Sequence, residues 1–144
     1  TIAGKKIFTF GGAKSHDISG GILEYDDPDF LKKRMALEEN FKSYRVNHYS
    51  WWEQELPSEE EMMEGISNLQ AHRNEVDFIV SHCCAASTQV LIGGSMYKRD
   101  YLNEYLEKIR QSVQFKKWFF GHYHNNRSVN AQEILLYEQI MRIV

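Results

Sequence analysis

The chain is poor in the residues that replace or interrupt a packed core. It has only two cysteines, Cys83 and Cys84, and they are adjacent. A disulfide between neighbours strains the backbone and no second pair exists, so no disulfide framework is expected and a reducing, cytoplasmic setting is the better fit. Two prolines and 9 glycines in 144 residues exclude collagen-like or linker-like character. Long apolar runs are missing too. The longest, such as Ile134-Leu135-Leu136-Tyr137, fall far short of the about 20 residues a membrane span needs, and no charged-then-apolar leader opens the chain. No excess of positive charge is present: the formal net charge is -3, which argues against a broadly basic nucleic-acid-binding surface. What is present is a 42% apolar and 13% aromatic composition, enough for a core in one domain of roughly 150 residues.

Hydrophobic patterning predicts an α/β chain. Ile7 to Phe10 is β-branched and aromatic and is closed by Gly11-Gly12, a short buried strand. Asp27 before Pro28 opens a helix over 28–43, with Phe30, Leu37, Phe41 and Tyr44 as its apolar positions. Ser58 and Glu61 form a capping-box pattern before the Met62, Ile66, Leu69 stripe, giving a helix to about residue 72. Val76 to Val80 reads as a strand buried on both faces. Residues 83–98, small and mixed with Gly93-Gly94, read as a long loop. Asp100 caps a helix with Leu102, Tyr105, Leu106, Ile109 and Val113 on one face. Lys117 to Gly121 follows as an aromatic strand, then Arg127 to Val129 and Glu133 to Val144 as antiparallel strands. The order strand, helix, helix, strand, helix, strand, strand, strand implies a layered sheet flanked by helices.

Chemistry concentrates in Gly121-His122-Tyr123-His124 and in Ser81-His82. In an extended segment, side chains two apart share a face about 7 Å apart, so His122 and His124 would look out together, with Gly121 easing the turn at the strand end. His82 ends another apolar strand, and ligand sites in α/β sheets gather at strand ends. Three neutral imidazoles there suit Zn, Mn or Fe. An isolated histidine is more often structural; the two motifs together carry the metal reading.

The same residues resemble a known family. Ser81-His82, a helix, then Gly121-His122-x-His124 and closing strands look like the last two metal motifs of the calcineurin-like metallophosphoesterases. Gly11-Gly12-Ala13-Lys14-Ser15-His16-Asp17 resembles the GGAxSxD segment of bacterial and phage members, and Trp51-Trp52-Glu53-Gln54-Glu55 their WWxxE stretch. The resemblance implies a layered metallophosphoesterase sandwich with residues 1–144 as its C-terminal portion. It implies His82 and His122 on one metal and His124 on the other, with Ser15, Asp17 and Asn125 lining the substrate site. The family hydrolyses phosphoesters, in phosphoproteins, nucleotides or nucleic acids, with a metal-bridging hydroxide between two divalent ions (Mn, Fe, Zn or Ni).

The family's Asp-x-His, Gly-Asp-x-x-Asp and Gly-Asn-His-Asp/Glu motifs are not in these 144 residues. No bridging carboxylate and no general-acid histidine can therefore be assigned. The start at Thr1 rather than Met agrees with a C-terminal half, the isolated chain is expected to be inactive or nearly so, and it would hold fewer metals or none. An open sheet edge or face is expected, with self-association as its remedy. Two alternatives stand beside this reading: a mononuclear three-histidine zinc hydrolase or hydratase, and a non-catalytic interaction module.

Other residues admit plainer readings. Ser15 and Asp17 after a Gly-Gly turn are also ordinary turn chemistry, and so are Asn125, Asn126 and Arg127. Arg34 and Arg45 offer bidentate phosphate contacts or simple solvated charge. At least one of Trp51 and Trp52 is expected in the core, the other at a pocket rim. The acidic run from Glu53 to Glu64 is a solvated helix start. Cys83 and Cys84 are small loop residues near the site, and His48 and His72 are surface groups.

Overall fold

A computed structural model describes residues 1–143. The protein is mixed α/β, and the chain forms two compact units, one of residues 1–13 with 57–144 and one of residues 14–56.

The larger unit is built on a five-stranded sheet. Its strands are β1 (Ile7–Phe10), β4 (Phe78–Ser81), β5 (Lys117–Phe120), β6 (Arg127–Ser128) and β7 (Glu133–Leu135), in the spatial order β1-β4-β5-β7-β6. β1, β4, β5 and β7 are parallel, with Ile7 beside Phe78, Phe78 beside Lys117 and Trp118 beside Glu133. β6 pairs antiparallel with β7. The expected antiparallel closing pair is therefore present, and β7 also extends the parallel sheet. It is shorter than expected, ending at Leu135; one further ladder bond, from Leu136, follows it, Ile140 beyond is fully exposed, and Val144 lies outside the described residues.

Three helices belong to this unit: α2 (Glu59–Ala71), α3 (Ala86–Gly93) and α4 (Tyr101–Ser112). Both halves of the Ser58–Glu61 capping box form, and Asp100 caps α4 reciprocally with Asn103. α4 buries Leu102, Tyr105, Leu106 and Ile109, each aliphatic burial contributing about 1.5–3 kcal/mol. Tyr105 lies against Phe10, ring centroids 4.8 Å apart, which sets α4 on the sheet face that carries Phe8 and Phe10. The opposite face gathers Phe78, Phe119 and Ile134, with Ile7, Leu136 and Ile143 packed around them.

Helix α3 replaces the loop expected over 83–98. Its N-cap position is Ala85, which offers no side-chain acceptor. The Glu107 carboxylate on α4 does that work from twenty residues away, accepting from the Ser87 N–H at 2.9 Å and the Ser87 hydroxyl at 2.7 Å. At its other end Gly94 adopts φ +58, a positive φ that glycine takes without a Cβ penalty. Thr88 and Gln89, polar yet buried, find partners elsewhere in the fold.

The smaller unit holds α1 (Phe30–Glu39) and two short parallel strands, β2 (Ile22–Leu23) and β3 (Arg45–Val46), that the sequence pattern did not suggest. The helix expected over 28–43 stops at Asn40. Phe41 turns left-handed (φ +51) and is 96% exposed, so it is not an apolar helix position. Asp27 accepts from the Asp29 N–H at 2.8 Å, organising the turn that opens α1. Trp52 is 46% exposed and Trp51 half-buried, so neither joins the core as expected.

Candidate metal centre

The C-terminal ends of β1, β4, β5 and β7 lie along one edge of the sheet. The ladder continues one step past the strands: the His82 N–H donates to the Phe10 carbonyl, Gly121 to His82, and Leu136 to Phe120. His82 and Gly121-His122 are therefore neighbours by register. His82 is exposed, whereas Ser81 and Cys83 on either side of it are buried. Ser81 is held inward by the Trp118 indole N–H, at 2.7 Å from its hydroxyl, and itself donates to the Cys83 carbonyl at 2.5 Å.

The rings of His82 and His122 stand 5.2 Å apart, centroid to centroid, at an interplanar angle of 69°. Two imidazoles on one ion, with metal–nitrogen bonds of about 2.1 Å, place their ring centres about 5 Å apart at a tetrahedral angle, so this pair fits a shared cation. A Cβ at Gly121 would lie 3.9 Å from His82 Nδ1. That puts Nδ1 on the Gly121 side of the ring. Partial desolvation by its neighbours pushes the His82 pKa down, and the nearby His124 pushes it further. Both favour the neutral, ligating imidazole.

The backbone of the His-Tyr-His segment differs from expectation. β5 ends at Phe120, and His122 (φ 69) and His124 (φ 47) are both left-handed, so the segment is a tight turn and not an extended strand. The turn follows from its anchors. Tyr123, between the two histidines, points inward: its hydroxyl meets Cys83 Sγ at 3.5 Å and accepts from Cys84 Sγ at 3.4 Å and Gln89 Nε2 at 3.2 Å. Asn103 Nδ2 closes the network on Cys83 Sγ (3.2 Å) and the Cys84 carbonyl (2.9 Å). The glycine is not where the strain sits; the two histidines carry it, an arrangement typical of sites held by their surroundings.

His124 goes elsewhere. Its ring stacks on Tyr137, centroids 5.0 Å apart and 30° from parallel. Among the described residues, no group of three or more His, Cys, Asp or Glu side chains is placed to hold a metal ion. The structure thus pairs His82 with His122 and leaves His124 on a neighbouring aromatic.

The residues expected to line a substrate site are engaged locally. Asn125 is exposed and its side-chain Oδ1 accepts from the Asn126 N–H at 2.7 Å. Ser15 and Asp17 belong to the 14–56 unit, where Ser15 donates to Glu55 at 2.5 Å and Asp17 pairs with Arg45. Arg34 pairs with Glu38 on α1. Cys83 and Cys84 are buried, and burial raises both thiol pKa values. They lie beside His82, where small loop residues near the site were expected, and are buried and hydrogen-bonded under the turn.

Sequence reasoning missed Tyr123, Gln89 and Asn103. A hint lay in the alternation: if His122 and His124 face out, the residue between them faces in. A second buried cluster supports β7, where Glu133 accepts from Thr88 (2.6 Å), Arg110 (3.1 Å) and Asn130. No family model matches the chain, and no curated protein or solved structure matches it either.

Proposed function

We propose that this chain carries the imidazole side of a metallophosphoesterase centre, the C-terminal part of a sandwich of that type. The observation that supports it most is the His82–His122 ring pair at the ends of adjacent parallel strands. Divalent cations, when bound, supply the Lewis acidity for attack of water on a phosphoester. The chain's own part is to present two imidazoles at the sheet edge, with the Tyr123 network fixing the turn that holds His122. The carboxylate ligands and the general acid are not in this sequence, so the chain alone is expected to bind a cation without turning over substrate. Its substrate would be a phosphoester, in a phosphoprotein, a nucleotide or a nucleic acid.

Calorimetric titration with Zn²⁺ and Mn²⁺ tests this reading. His82→Ala and His122→Ala should each weaken binding by at least about tenfold, whereas His48→Ala should not. Unchanged affinity in the first two variants would remove the site. Brisk Mn-dependent hydrolysis of p-nitrophenyl phosphate by the 144-residue chain would show that the ligand set is not incomplete.

A further inference from the structure

Strand β1 lies at the edge of the five-stranded sheet, with β4 on one side and, among the described residues, no strand on the other. The Lys6 and Phe10 carbonyls accept from the Phe78 and His82 N–H groups on the β4 side. By alternation, the backbone groups of Ile7 and Thr9 point away from the sheet. The strand reads Ile-Phe-Thr-Phe. It has none of the charges or prolines with which natural edges discourage pairing.

A cavity of about 440 Å³ runs along this edge, between residues 6–10 and helix α2. Its charge is polarised. Lys6 lines the end where β1 begins. At the other end α2 brings Gly65 against Phe10, and Glu61 and Glu64, in the turn before Gly65, also line the cavity. A two-fold axis across β1 exchanges these ends. Lys6 of each copy then meets Glu61 and Glu64 of the other, so the groove is complementary to itself.

We propose that β1 is a dimerisation edge, at which a second copy of this chain adds antiparallel. Ile7 of one copy faces Thr9 of the other, and the two sheets become one. The assignment rests on the edge and its groove and is independent of the metal centre at the strand ends.

Sedimentation equilibrium over a wide concentration range reads the outcome directly, the dimer having twice the 17.0 kDa chain mass. Thr9→Pro removes an N–H that the monomer does not use, a substitution edge strands tolerate. It deletes one hydrogen bond per copy and should weaken the dimer by about thirtyfold, with an unchanged circular dichroism spectrum. Lys6→Glu and Glu64→Lys should each weaken it, and the double variant should restore it. A chain that stays monomeric at high micromolar concentration would overturn the proposal. So would a dimer indifferent to Thr9→Pro, or a charge swap that restores nothing. A monomer that instead takes up an unrelated strand-forming peptide along β1 would assign the edge to another polypeptide and likewise overturn it.

Discussion

The Cys84 thiol donates to the Tyr123 hydroxyl at 3.4 Å, beneath the turn that carries His122 and His124. Gln89 donates to the same oxygen. A turn of unfavourable backbone geometry is thus held by a half-buried side chain from its own middle. Tyr123→Phe removes the acceptor and leaves two buried donors without it. The expected cost is about 1–3 kcal/mol of stability, measured by urea denaturation, together with weaker Zn²⁺ binding. Wild-type stability and affinity in this variant would show that ring packing alone holds the turn.

The two thiols should be chemically quiet. Burial raises the pKa of both Cys83 and Cys84, and thiolate is the reactive form. Alkylation in native buffer should be slow, and both sites should label together once denaturant opens the fold. Rapid labelling of the native chain by a thiol-reactive dye would contradict this packing.

Gly65 and Tyr105 form a tight crossing between α2 and α4. A Cβ at Gly65 would stand 2.2 Å from the Tyr105 oxygen and 3.1 Å from the Phe10 ring. Gly65→Ala gains about 1 kcal/mol of helix propensity, but the overpacking of about 1–3 kcal/mol opposes it, so a net loss of thermal stability is expected. The Tyr105 hydroxyl is buried without a hydrogen-bond partner, and burial pushes its pKa up to about 12. Tyr105→Phe should therefore leave stability unchanged or raise it, and should rescue Gly65→Ala in part. A Tyr105→Phe melting temperature well below wild type would mean the hydroxyl has a partner in solution.

Asp77 ties together the starts of three strands. Its carboxylate accepts from Lys116 Nζ at 2.6 Å, beside β5, and from the Lys6 N–H at 3.0 Å, beside β1. The Lys116 hydrogen bond first, and the Lys6 amide second, lower its pKa below 3.8. A carboxylate depressed by folding stabilises the fold above its unfolded pKa, and the gain is lost as the pH falls through the lower folded value. The melting temperature should drop on acidification below 3.8, and Asp77→Asn should flatten that part of the curve. Identical acid limbs in the two proteins would exclude the pairing.

Much of the framework is local and was readable. Ser58 with Glu61, and Asp100 before an amphipathic stripe, mark helix starts because a cap and a periodic apolar face act within one turn of chain. The apolar runs at Ile7, Phe78 and Trp118 mark strands because β-branched and aromatic side chains suit a pleated, largely buried surface, although Val80, expected to be buried, is 38% exposed. Their ends bring His82 and Gly121-His122 to one edge once register is set. By contrast, α3 carries no cap of its own: its first turn is satisfied by Glu107, and its polar residues by Glu133 and Asn103.

From sequence alone, then, come the α/β alternation, the capped helices and the histidines at strand ends, because each depends on neighbours along the chain. Tertiary structure alone decided that residues 86–93 form a helix, that His122 and His124 sit on a left-handed turn, and that His124 leaves the pair for Tyr137. Each of these outcomes depends on hydrogen bonds or packing between groups that only folding brings together, and such partners leave no periodic trace in the order of residues.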